Sequence, residues 1–187
     1  MSWDDERGYA DFQFDDRFRR SGLDIAPLMM PLARTRGVVS FPTNARTKCF
    51  SGLPGLIADA LPDKFGSQLI TEWFAQQGKT EGMITPLDRL CYVGKRAMGA
   101  LEFVPAANVE GVNESTEIYI RELMALSDSI FKERSRFQEL IHQNDKSILD
   151  ILKVGTSAGG AKPKAIIAYK EETGEVRSGQ VPAPEGF

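Results

Sequence analysis

The segment richest in chemical meaning is Gly155-Thr156-Ser157-Ala158-Gly159-Gly160-Ala161-Lys162-Pro163-Lys164. Its small residues let backbone N–H groups come close to an anion, and two hydroxyls and two lysines stand beside them. That is the composition of a loop that cradles phosphate. Gly155 and Gly160 have the separation of a Walker A loop, but Ala161 stands where that motif needs lysine. No Ser or Thr follows to hold Mg²⁺, and the next residues, Ala165 to Tyr169, form a β-run instead of a helix. The Walker A reading is therefore rejected, and the segment does not fit GxGxxG either. A β-run directly after the loop suits a nucleotide-covering loop that opens a hairpin. On its residues alone, the segment reads equally well as a glycine-rich connector.

Other chemistry-bearing residues are sparse. Cys49 and Cys91 lie far apart with no CxxC spacing and read as reduced, partly buried thiols. A zinc site needs about four ligands, and His142 is the only histidine in the chain. In its IHQND context His142 reads as a surface or capping residue at a helix end. The acidic stretch of Asp4, Asp5, Glu6, Asp11, Asp15 and Asp16 is interleaved with Arg7, Arg17, Arg19 and Arg20. Local neutralisation by the arginines makes it a solvated face, not a metal site.

The elements that must position these residues follow from periodicity and punctuation. Residues 3 to 18 read as short strands and turns. Leu28-Met29-Met30-Pro31-Leu32 and Val38-Val39-Ser40-Phe41-Pro42 read as two more strands, each stopped by proline. Leu56 to Leu61 is helical after the turn Leu53-Pro54-Gly55. Over 63–77, Phe65, Leu69, Ile70, Trp73 and Phe74 form one amphipathic face, with Gly78 as the stop. Thr85-Pro86 is an N-cap followed by proline at the first helical position, and that helix runs to Gly94. Ala100 to Pro105 reads as a strand, and 106–114 as a linker. A long helix is expected from about Thr116 to Asn144, and a short one, capped by Asp145, over Ser147 to Val154. Ala165 to Tyr169 and Glu175 to Arg177 flank Glu172-Thr173-Gly174, a hairpin signal.

Composition sets the outer bounds. The chain has 187 residues, 42% hydrophobic and 26% charged, enough for one generous domain or two small ones. A net charge of −3 argues against a dominant nucleic-acid or membrane-surface role. No apolar run approaches the roughly 18 residues of a membrane span, and MSWDDERG lacks the basic start of a secretory signal.

Three segments resemble one family. Phe50-Ser51-Gly52-Leu53-Pro54-Gly55-Leu56-Ile57-Ala58-Asp59-Ala60-Leu61-Pro62-Asp63, with Gly66, resembles the signature of the HipA amino-terminal subdomain. Leu87-Asp88-Arg89-Leu90, then Tyr92-Val93-Gly94-Lys95-Arg96-Ala97-Met98-Gly99-Ala100-Leu101, resembles its second signature. The 155–164 segment resembles the family's glycine-rich phosphate loop. All three occur in the family's order, and the resemblance covers essentially the whole chain.

The resemblance implies an α+β fold. Residues 1–105 would be a small antiparallel sheet with packed helices, 106–114 a linker, and 115–187 the start of a kinase-like amino-terminal lobe. It implies a cytoplasmic serine/threonine kinase toxin of a type II toxin–antitoxin system, using ATP and Mg²⁺. Ser157, Ala158, Gly159, Gly160, Ala161, Lys162 and Lys164 would contact ATP phosphates, and Ser157 would be an autophosphorylation site. Added charge there would repel nucleotide phosphates. The implied partners are a HipB-like helix-turn-helix antitoxin, which holds the DNA so that DNA contact is indirect, and protein substrates such as an aminoacyl-tRNA synthetase. No membrane partner is implied.

Two departures accompany the match. Family members normally begin with a further strand or two before the position of Met1. The chain also stops at Phe187, before the strand lysine, the catalytic Asp/Asn loop and the metal-binding Asp expected of such a kinase. The expectation is an inactive kinase fragment with no catalytic residue in this chain. The alternative is a stand-alone regulatory module that restrains a HipA-like kinase partner. A third class, an unrelated nucleotide-binding α+β protein, conflicts with three motifs in order.

Overall fold

The computed structural model describes residues 1–97, 99–107, 115, 117–119, 121, 124 and 166–187. The fold is α+β, and the chain divides into two compact units. The first unit comprises residues 1–61 and 85–87, the second 62–84 and 88–187.

In the first unit, β1 (Ser2–Asp4), β2 (Tyr9–Phe12) and β3 (Val39–Ser40) form an antiparallel sheet in that order. Trp3 faces Ala10 across the first pair, and Phe12 faces Val39 across the second. The β1–β2 turn closes on Gly8, whose N–H donates to the Asp4 carbonyl at 2.8 Å. Arg7 bonds Asp4 at 2.5 Å and Asp11 at 2.9 Å, and Asp11 also accepts from the Ser40 hydroxyl. One arginine thereby ties the turn to β2, and Asp11 carries the tie on to β3. These partners hold the Asp4 and Asp11 carboxyls below their ordinary range, the strongest influences being the Arg7 backbone N–H on Asp4 and Ser40 on Asp11.

Sequence reading places residues 3–18 in strands and turns, yet Phe18 sits in a helix, α1 (Asp16–Ser21). Asp15 caps it, accepting from the N–H groups of Arg17 at 2.8 Å and Phe18 at 3.3 Å. Gly22 ends it in the left-handed conformation. Phe14, Met30 and Leu32 form the core of this region, with Phe12, Phe18, Val39, Phe41 and Leu56 packed against them.

The expected strand over Leu28–Leu32 is a pair of turns instead. The Met30 N–H returns to the Ala26 carbonyl, and those of Arg34 and Thr35 to Pro31. Pro27 and Pro31 offer no N–H for a ladder and fix φ, so the run curls. Only Met30 and Leu32 turn inward, whereas Leu28 is 92% exposed. The expected strand over Val38–Pro42 is present as the short β3. Beyond a 3-10 turn at Lys48–Phe50 lies α2 (Gly55–Ala58).

The second unit opens with α3 (Lys64–Gln76), capped by Asp63, whose carboxylate accepts from the Gly66 N–H at 2.8 Å. Leu69, Ile70 and Phe74 of the expected apolar face are buried. The helix closes at Gly78, whose N–H donates to the Ala75 carbonyl at 2.9 Å. Next comes α4 (Pro86–Val93), beginning at the proline that the sequence marks as its first position. Trp73 of α3 meets Tyr92 of α4 edge-on, with ring centroids 4.8 Å apart.

Ala100–Pro105, expected as a strand, has no strand pairing among the described residues. Its neighbourhood bonds to the end of α4 instead. The Phe103 N–H donates to Gly94 at 3.1 Å, and that of Ala107 to Cys91 at 2.7 Å. The last carbonyls of a helix lack intrahelical donors, and this returning chain supplies them. The Val104–Pro105 peptide is cis.

Of the linker expected over 106–114, only Ala106 and Ala107 are described. The long helix expected from about Thr116 is not helical at Glu117–Tyr119, where Glu117 forms an antiparallel bridge with Arg177 and draws this segment to the β5 edge, whereas Arg121 and Met124 are helical. The short helix at 147–154 lies outside the described residues. The expected hairpin is present as β4 (Ile167–Lys170) and β5 (Glu175–Ser178).

Candidate functional site

The described residues begin again at Ile166, directly after the small-residue loop. Ser157, Ala158, Gly159, Gly160, Ala161, Lys162 and Lys164 all lie outside the described residues, as does His142. What can be built is the hairpin that receives the loop. β4 and β5 pair antiparallel, with Ile167 opposite Ser178 and Lys170 opposite Glu175. Gly174 turns the chain with φ +72°, and its N–H donates to the Lys170 carbonyl at 2.8 Å. At the open end the Gly179 N–H donates to Ile166 at 2.8 Å, fixing the residue where the loop arrives.

A short segment near Ile118 lines the other edge of β5. The Ile118 N–H donates to the Val176 carbonyl at 2.8 Å, and the two side chains pack together, buried. Arg177 bonds Glu175 at 2.6 Å and the Ser115 carbonyl at 2.7 Å. The Phe187 ring lies 5.8 Å from the Lys170 ammonium and 5.4 Å from the Arg177 guanidinium. Cation–π attraction of this kind contributes about 0.5–1 kcal/mol at exposed sites.

The two signature segments take well-defined positions. Within the first, Gly52 adopts φ +74° and its carbonyl accepts from the Ala10 N–H at 2.8 Å. Leu53 and Pro54 are fully buried beside it. Asp63, at the segment's end, is the α3 cap already described.

Within the second signature, Arg89 reaches from α4 to α3. It donates to the Ser67 carbonyl at 2.8 Å and to the Thr71 hydroxyl at 3.0 Å. Burial pulls the Arg89 pKa down, against the opposing pull of Glu81 and Asp88. Gly94 has φ +57°, and a Cβ there would meet Ala106 at 2.9 Å. Arg96 is buried, donates to the Tyr92 carbonyl at 2.6 Å and stacks 5.0 Å over the Tyr92 ring. Burial pushes the Tyr92 hydroxyl up to about 12, with Arg96 opposing the shift.

The first signature thus supplies backbone geometry, and the second adds the contacts of half-buried Arg89 and buried Arg96; among the described residues neither gathers a catalytic constellation. The HipA N-terminal domain family matches residues 1–104. The chain belongs to that family. No curated protein and no solved structure matches the chain.

The family resemblance read from the sequence therefore stands on its amino-terminal portion. As a HipA N-terminal domain, residues 1–104 hold the short sheet and α1 to α4, and the helices-plus-small-sheets architecture agrees with that assignment. Sequence reading missed the work of Arg7, Arg89 and Arg96. The last two fall inside the second signature, so their place in that motif was the available signal.

Among the described residues, no group of three or more His, Cys, Asp or Glu side chains could hold a metal. Cys49 is exposed, while Cys91 is partly buried with its thiol pushed up, chiefly by that burial. Neither is in a disulfide. No helix among the described residues is long and apolar enough to cross a membrane.

Proposed function

We propose that this chain is the amino-terminal portion of a HipA-like serine/threonine kinase of a type II toxin–antitoxin system. The observation that carries the reading is order along the chain. A HipA N-terminal domain over 1–104 is followed by the small-residue loop at 155–164 and, directly, by the β4–β5 hairpin. A loop feeding a hairpin is the arrangement that covers nucleotide phosphates in kinases. In this reading ATP, with Mg²⁺, is the phosphoryl donor and a protein serine the acceptor. A helix-turn-helix antitoxin is the partner, and the setting is the cytoplasm. Lys162 and Lys164 counter the phosphate charge, and Ser157 is the regulatory phosphoacceptor. A phosphate on Ser157 competes with nucleotide for the same N–H groups and lysines.

In this reading the catalytic and metal-binding carboxylates of the kinase core belong to segments other than residues 1–187, so this polypeptide in isolation should transfer no phosphate from ATP. The test uses the reading frame extended through the catalytic segments. Ser157→Asp should weaken ATP binding, and Ser157→Ala should stop time-dependent self-inactivation while leaving nucleotide affinity in place. Parent-like ATP binding and parent-like loss of activity in both variants would remove the loop from the mechanism. A stand-alone module that restrains a kinase partner is the second reading, favoured by the family match ending at residue 104. It predicts that adding this chain lowers the activity of a separate HipA-like kinase.

A further inference from the structure

The net charge of −3 conceals a segregation of charge along the first unit. Residues 17–50 hold six arginines and Lys48 but a single carboxylate, Asp24. That carboxylate is occupied by backbone, accepting from the Leu32 N–H at 3.1 Å and the Ala26 N–H at 3.4 Å. Asp15 and Asp16 stand just upstream: Asp15 accepts from the backbone at the start of α1, and Asp16 is the one exposed carboxylate in its first turn. Folding then brings two arginine runs together. Arg19 at the end of α1 donates to the carbonyl of Thr35, which lies between Arg34 and Arg36. Arg17, Arg20, Arg34 and Arg36 are exposed, and no carboxylate among the described residues forms an ion pair with any of them.

We propose that this arginine face binds the phosphate backbone of duplex nucleic acid directly. Salt screens charges beyond about 8–10 Å, so a partner docking here responds to the local cations and not to the net charge. A single carboxylate or terminal phosphate needs one or two cations, whereas an array drawn from several segments suits a repeating row of charges. Duplex DNA presents one charge per about 1.7 Å of axis. Arginine's planar fork matches phosphate in two-point contact, and Ser, Thr and Asn side chains commonly add backbone contacts. Thr43 lies in the same stretch, as does Asn44, whose amide oxygen already accepts from the Arg46 and Thr47 N–H groups. The inference stands independently of the kinase reading, because it uses only the first unit.

The test measures fluorescence anisotropy of a labelled 20-base-pair duplex of mixed sequence with the 187-residue chain. Four phosphate contacts would give saturable binding at 50 mM KCl that weakens about 10²-fold by 200 mM. Arg34→Gln with Arg36→Gln should reduce affinity about tenfold or more and flatten the log–log salt slope by about two. Lys64→Gln with Lys95→Gln removes two exposed charges from the second unit and should change neither. If the Arg34/Arg36 variant loses its parent circular-dichroism spectrum, Arg17→Gln with Arg20→Gln replaces it with the same expectation. Absence of binding at 50 mM KCl overturns the proposal, as does equal loss in the arginine and lysine pairs. Competition by polyglutamate as effective as that by unlabelled duplex would reassign the face to an acidic polypeptide. Co-sedimentation with phosphatidylglycerol vesicles by a chain that leaves the duplex free would reassign it to a lipid surface.

Discussion

At the scale of single residues, Gly52 shows why the first signature contains glycine. Its φ of +74° disfavours any side chain, and an added Cβ would lie 2.6 Å from the Gly8 carbonyl oxygen and 2.8 Å from the Tyr9 Cα. Both obstacles are backbone of the β1–β2 hairpin and cannot swing aside. Gly52→Ala should therefore cost about 3 kcal/mol or more, from left-handed strain and displaced backbone together. Gly37 is the control, since it has φ +86° with nothing within 4 Å of an added Cβ. Gly37→Ala should cost only about 1–2 kcal/mol. Urea melts giving equal losses for both variants would refute the close-approach argument. Tyr92 carries a pH signature. Burial raises its hydroxyl to about 12, so the folded chain keeps a proton that the unfolded chain releases near 10. A group with a raised folded pKa contributes fully below its unfolded value. That contribution is lost as pH climbs from about 10 to 12, amounting to about 2–3 kcal/mol. Tyr92→Phe should flatten this part of the stability–pH curve, and chemical melts from pH 9 to 12 would show it. An unchanged slope in the variant would mean that Tyr92 is not the group responsible.

At the scale of elements, the clamp from α4 to α3 is the most specific contact. Arg89 satisfies the Ser67 carbonyl and the Thr71 hydroxyl with two nitrogens of one planar group. Arg89→Ala should cost about 1–2 kcal/mol, because a charged donor is lost to both acceptors. Arg89→Lys should recover little, since an ammonium cannot reproduce the fork at two separated acceptors. Full recovery by lysine in thermal melts would show that charge alone suffices. These two helices were legible in the sequence because their signals are local. The stripe of Leu69, Ile70 and Phe74 has helical spacing, and Thr85-Pro86 marks a start. The β4–β5 hairpin was legible for the same reason, through Glu172-Thr173-Gly174. Leu28–Leu32 misled because its apolar content suggested a strand, while Pro27, Pro31 and the Asp24 carboxylate impose turns. Ala100–Pro105 misled because its donors serve carbonyls of the α4 end, a partner no local pattern reveals. The segment at 155–164 was legible only as composition, since small residues and lysines state what a segment could bind but not where its atoms stand.

At the scale of the whole molecule, burial among the described residues is unevenly distributed. Residues 53–93 contribute Leu53, Ile57, Leu69, Ile70, Phe74, Leu90, Tyr92 and Val93 to the buried set. The β4–β5 hairpin has strands of four residues each, and Ile167 and Tyr169 are 43% and 56% exposed. Among the described residues β4 pairs with β5 alone, and β5 gains only the short contact at Ile118. A two-stranded hairpin is marginal in water unless a third strand or a packed face supports it. Opening free energy follows buried apolar contact and paired backbone, so different parts of one chain open at different cost. Amides of α3 from Leu69 to Gln76 should therefore exchange with deuterium more slowly than those of residues 167–178, by on the order of 10²-fold. The comparison needs no assumption about how the two units of the chain are arranged, because α3 and the hairpin both belong to the second unit. Equal protection in the two segments, read by mass spectrometry on the intact chain, would contradict it.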